Sequence, residues 1–84
     1  MLLPVMKITI ESTTKVVELN VRGFPSGVPA RIWEGVTDSG IPVHCYVTRI
    51  AVAYDQDNSQ FERELKECRA PSAGIDAIPP WMIL

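Results

Sequence analysis

Apolar and polar positions alternate along most of the first 54 residues, at the period of two that marks strands with one buried face. Residues 6–11 place Met6, Ile8 and Ile10 on one side and Lys7, Thr9 and Glu11 on the other. Residues 15–21 repeat the pattern with Val17, Leu19 and Val21. Facing Ile10 with Val17, Ile8 with Leu19 and Met6 with Val21 gathers both sets on one face, which predicts a hairpin turning through residues 12–15. Residues 22–29, RGFPSGVP, read as a loop with Phe24 as a plug into the core. Glycine and proline punctuate it, and Pro25 and Pro29 cannot donate to a ladder.

The chain is organised around residues 30–54, ARIWEGVTDSGIPVHCYVTRIAVAY. Two β-rich runs flank Thr37-Asp38-Ser39-Gly40, which carries the glycine a tight hairpin needs. Two registers fit. A four-residue loop sets Val36 against Ile41, Glu34 against Val43, Ile32 against Cys45 and Ala30 against Val47. One face is then apolar except for Glu34, and the other carries Arg31, Trp33, His44 and Tyr46. A three-residue loop sets Trp33 beside Cys45 and Glu34 against His44. The first register is preferred for its more uniform apolar face.

The alternation changes phase near Arg49: odd positions are apolar through Val47, even ones from Ile50 to Tyr54. A β-bulge at Thr48-Arg49 accounts for this, as does a strand buried on both faces. Residues 55–59 form a polar linker into a helix, with Ser59 and Glu62 spaced as a capping box and Phe61, Leu65 and Cys68 on its inner face. The helix is expected to last about three turns and to stop before Pro71. Residues 70–84 are a proline-punctuated tail ending in Pro-Pro-Trp-Met-Ile-Leu. Its apolar end is expected to pack on a sheet edge or a partner subunit. The whole, 1–84, reads as a single small α+β domain: an antiparallel β-sheet of four to five strands with one short α-helix packed on it.

Composition adds a partner to this picture. At 84 residues, 46% hydrophobic content is more than so small a core can bury, which predicts a homo-oligomer. With 8 basic and 10 acidic residues the net charge is −2, which argues against nucleic acid as a partner. The two cysteines read as reduced thiols of a cytoplasmic chain. The opening Met-Leu-Leu-Pro-Val-Met is too short for a signal core, and no run nears the roughly 20 apolar residues of a membrane span. No membrane partner is expected.

Few residues suggest reaction chemistry. His44 and Cys45 are adjacent, so on a strand they point to opposite faces and cannot act as base and nucleophile. One histidine and two distant cysteines make no metal site, and the glycines form no phosphate-binding fingerprint. No enzyme activity, catalytic residue, metal or cofactor is expected. The candidate ligand-binding residues are Arg31, Trp33, His44, Tyr46 and Arg49. Aromatic planes beside guanidinium groups suit a nucleotide-like molecule, with arginine taking phosphate. The competing reading packs Trp33 and Tyr46 under the helix or a partner subunit.

The stretches VPARIWEG, SGIPVHCYVTRIAV, QFERELKE, APS and IPPWMIL together resemble small accessory proteins of bacteriophages and prophages, over roughly residues 7–84. The resemblance implies a tiny non-enzymatic inhibitor of host defence, acting in the host cell cytoplasm. The expected function is a counter-defence protein that sequesters a nucleotide-like small molecule. The alternative is an inhibitor that binds a host defence protein directly, through the aromatic face or the acidic helix; a third is a small structural phage component.

Overall fold

A computed structural model of the chain describes residues 4–20 and 27–83. The class is α+β. Strands β1 (Ile8–Asn20), β2 (Val28–Thr37) and β3 (Pro42–Val47) are followed by helices α1 (Asn58–Leu65) and α2 (Ala73–Asp76) and by a short strand β4 (Trp81–Ile83). The sheet order is β3-β2-β1-β4. Among the described residues its antiparallel part is three strands rather than the expected four to five, because β4 runs parallel to β1 and spans three residues. Among the described residues two helices stand where one was expected.

The first expected hairpin does not form. Residues 8–20 make one 13-residue strand along the whole of β2. Pairing runs from Ile8↔Thr37 to Ser12↔Trp33, then resumes at Val16↔Arg31. Three residues, 13–15, therefore face the single residue Ile32, and the segment expected to turn is instead a bulge. Two extra residues preserve the alternation of faces, so Ile8 and Ile10 share the face of Arg31 and Trp33 while Val17 and Leu19 lie on the opposite face with Ala30 and Ile32. Thr13 explains why the bulge is stable. It is fully buried, and its hydroxyl donates to the Ile32 carbonyl at 2.6 Å. That hydroxyl also accepts from the Lys15 amide at 3.2 Å. The Thr13 carbonyl takes Arg31 Nη1 at 2.7 Å. Three polar groups displaced from the ladder, the Ile32 and Thr13 carbonyls and the Lys15 amide, thus find side-chain partners.

The central hairpin adopts the three-residue loop, correcting the preferred register. Trp33 pairs with Cys45, Glu34 with His44 and Ile32 with Tyr46. Turn chemistry outweighs the apolar pattern here. The Thr37 amide donates to the Ile41 carbonyl at 3.0 Å, and the Ile41 amide donates to the Thr37 hydroxyl at 3.1 Å. Gly40, at φ 89°, takes the left-handed position that closes such a loop. Gly35 meets a different demand: β1 passes so close that a Cβ there would run into the Thr9 carbonyl.

Pro42 and Pro29 both fit without loss. By the alternation of antiparallel bonds, the nitrogen of Pro42 faces the open edge of β3. That of Pro29 faces a place β3 does not reach, since β3 ends at Val47 opposite Arg31. Pro29 thus belongs to β2, not to the expected loop at 22–29, and Phe24 lies outside the described residues. The phase change at Arg49 marks the end of β3 rather than a bulge or a continuing strand.

Helix α1 is capped by Asp57, whose carboxylate accepts from the Ser59 amide at 2.9 Å and its hydroxyl at 2.6 Å. The cap lies two residues before the expected Ser59, and Ser59 sits inside the first turn. The helix lasts about two turns. Phe61 and Leu65 lie over the sheet face that carries Arg31, Trp33 and Val47. The chain then crosses the edge of β1 at the bulge: the Arg69 amide donates to the Ser12 carbonyl at 3.1 Å, and the Thr14 amide to the Arg69 carbonyl at 2.9 Å. It emerges on the opposite face, where Ile75 of α2 completes a core of Val17, Leu19, Ala30 and Ile32, with Tyr46 and Ile78 against it. Strand β4 finally pairs with Glu18–Asn20 on the same edge, the Glu18 amide donating to the Pro80 carbonyl at 2.8 Å.

The Thr13 hydroxyl is the most exacting of these contacts. Thr13→Val, equal in shape, is expected to leave the Ile32 carbonyl unpaired and cost about 1–3 kcal/mol. At this chain length that lowers Tm by roughly 5–15 °C in thermal denaturation. Thr14→Val, at an exposed neighbouring position, is expected to leave Tm nearly unchanged.

Candidate ligand-binding cleft

The register decides which of the five expected site residues meet. Arg31 and Trp33 alternate on β2 with Ile32 and so share one face with Cys45 and Val47. His44 and Tyr46 pair with Glu34 and Ile32 and lie on the other face. There His44 Nε2 and the Tyr46 hydroxyl are 3.0 Å apart, their rings edge to face with centroids at 5.3 Å. The expected five-residue face is therefore split, and the cause is the one-residue difference in loop length. His44 and Cys45 also lie on opposite faces. Both cysteines are free thiols.

Arg31, Trp33 and Arg49 do come together. With Val47, Thr48, Ile50, Phe61 and Leu65 they line a cleft of about 190 Å³ between the sheet and α1. Phe61 and Leu65 were readable only as the inner face of a helix; that they close a cleft depends on the path of residues 48–57, which carries no periodic signal. Arg31 is half-buried, and Nη1 is engaged by the Thr13 carbonyl and, at 3.7 Å, by Cys68 Sγ. Arg49 is exposed, and no hydrogen bond ties its side chain among the described residues. The lining contains two guanidinium groups and no carboxylate, although the whole chain is net acidic.

On the far face Glu34 resolves the anomaly of a charge on an apolar stripe. Its carboxylate accepts from the Ser72 hydroxyl at 2.6 Å, the Ser72 amide at 2.9 Å and Arg69 Nη1 at 3.0 Å. Arg69 also reaches Glu11 at 3.4 Å. The Ser72 hydroxyl and amide, followed by Arg69, hold the Glu34 carboxyl below the usual glutamate range. The cluster is a clasp across the sheet edge. Glu34 itself signalled the need for a partner, but nothing in the spacing pointed to residues 69 and 72.

No protein-family model, curated protein or solved structure matches this chain. Among the described residues, no helix is long and apolar enough to cross a membrane.

The clasp sets a pH dependence. A carboxylate whose folded pKa is lowered stabilises the fold above its unfolded value, and that contribution disappears as pH falls through the folded value. Asp57, lowered by the Ser59 hydroxyl and amide, acts in the same direction. In acid titration followed by circular dichroism, wild type is expected to be more stable than Glu34→Gln at neutral pH. The gap should narrow below the ordinary glutamate range, leaving the Asp57 contribution in both. A gap independent of pH would contradict the assignment.

Proposed function

We propose that this chain is a non-enzymatic binding protein that holds a small, flat anion of nucleotide type in the cleft between β2 and α1. The observation that carries the reading is the lining: Arg31 and Arg49 beside Trp33 and Phe61, with no carboxylate among them. Guanidinium groups take a phosphate through charge-assisted hydrogen bonds, and the aromatic and aliphatic walls accept a base. Size narrows the ligand. A cleft of about 190 Å³ is smaller than the roughly 300–1,000 Å³ of most ligand sites. It suits one base with its phosphate partly in solvent rather than an enclosed dinucleotide. Arg31, Trp33 and Arg49 carry this role; His44 and Tyr46, on the other face, do not. The resemblance to phage accessory proteins gives it a setting, the sequestering of a signal nucleotide in the cytoplasm of a host cell.

A second reading, direct inhibition of a host protein, draws support from another surface. Glu64 and Glu67, with Glu11 paired to Arg69, border an open depression that also exposes part of Trp33, and the excess of acid there suits a basic partner.

Arg49 offers the cleaner test of the first reading, because Arg31 also secures the bulge. Native mass spectrometry of the protein purified from cells, followed by titration with mono-, di- and cyclic nucleotides, is expected to show one ligand per cleft. Arg49→Ala should weaken it about tenfold or more, the loss of one charge-assisted contact. Reversal of Glu64 and Glu67 to lysine should leave that affinity intact. Failure of the wild type to retain or bind any of the panel would sink the nucleotide reading. Capture of a host protein that is lost on the double reversal would put the second in its place.

A further inference from the structure

The described core is small for the chain. Its buried apolar residues are Val17, Leu19, Ala30, Ile32 and Ile75, while 46% of the sequence is hydrophobic. The accessible surface is 6807 Å², against about 5,000 Å² for a compact monomer of this mass by the usual size scaling. The surplus, roughly 1,800 Å², exceeds the ~800 Å² that each partner gives to a standard protein interface.

Part of that surplus is one contiguous patch. Helix α1 covers only the Arg31–Val47 end of its sheet face. Toward the hairpin, the same face presents Ile8, Ile10, Ile41 and Val43, and Val5 and Met6 border a shallow groove with Ile41. Met6 is 82% exposed and Ile41 59%. The charges bordering that groove are one of each sign, Lys7 and Asp38.

We infer that a second copy of this chain covers this patch, giving a twofold dimer through the sheet face at its hairpin end. The other routes to self-association are restricted. The outer edge of β1 carries Arg69 at the bulge and β4 at Glu18–Asn20, which leaves only a short stretch at residues 8–11 open, and the apolar C-terminal run is itself β4. The outer edge of β3 is six residues long and starts with Pro42, so only His44 and Tyr46 turn amides outward. An isologous contact sets the same patch against itself. A rim with one base and one acid does not repel its own copy and does not select a strongly basic or acidic partner. The inference rests on the sheet face alone and is independent of what the cleft binds.

Light scattering coupled to gel filtration tests it, with Ile41→Asp as the disrupting variant and Val36→Asp, exposed on the opposite face, as the control. Wild type and Val36→Asp are expected at twice the chain mass and Ile41→Asp at the chain mass. Should Ile41→Asp fail to fold, the wild-type Tm decides, because a dimer melts at a higher temperature as its concentration rises. A wild type of single-chain mass with a concentration-independent Tm overturns the inference. So does a dimer that survives Ile41→Asp, or one that Val36→Asp disrupts equally.

Discussion

The bulge in β1 is the constraint on which the other features depend. A 13-residue strand must keep one ladder with β2 while also offering an edge to the end of the chain. Residues 13–15 meet both demands. Inward, the Thr13 hydroxyl replaces a missing amide at Ile32; outward, Ser12 and Thr14 bond the backbone of Arg69. Both helices take their positions from this point. Helix α1 ends on one side of it, α2 begins on the other, and the Glu34 clasp fixes the crossing. The cleft depends on it too, since Arg31 is positioned by the Thr13 carbonyl.

Strand identity was largely legible in the chain, and strand pairing was not. Period-two alternation marked residues 6–11, 15–21 and the two arms of the central hairpin, because half-buried strands need that pattern whichever neighbour they pair with. The same independence is why pairing was misread. A hairpin would gather Ile8, Ile10, Val17 and Leu19 on one face, whereas the bulged strand places Ile8 and Ile10 on one side of the sheet and Val17 and Leu19 on the other. The alternation within each run is the same in both. The shift of the apolar set from even positions to odd ones marks a change of buried face within one strand, a signal that a turn produces equally well. In the central hairpin the apolar count favoured one register, whereas Thr37 and Gly40 favoured the other through specific bonds that a count of apolar residues does not weigh.

The site was legible to the same degree. The choice of arginine beside aromatic residues picked out Arg31, Trp33 and Arg49, which do converge. His44 and Tyr46 were grouped with them only through the wrong register. Phe61 and Leu65 were seen as helix packing, which they are, but a wall of a cleft is a property of two elements at once. Glu34 was the most informative single residue: a lone charge on an apolar face announces a partner elsewhere in the chain, though not its position.

The crossing of the sheet edge has a consequence for how the molecule assembles. Strands β1 to β3 are joined by antiparallel pairings between sequence neighbours, whereas Ser12 bonds Glu67 and Lys15 bonds Asp76 across 55 and 61 residues of chain. Contacts of such separation close late, because loop-closure entropy must be overcome before they contribute. The C-terminal third is therefore expected to wrap a sheet that has already formed, with the closure at Arg69 as the late step. Until it happens, the edge of β1 stays open along its full length, with the amides of Thr14 and Glu18 exposed to any other strand. On this expectation one crossing sets both the order of folding and the period during which the young chain is most prone to pair with the wrong partner.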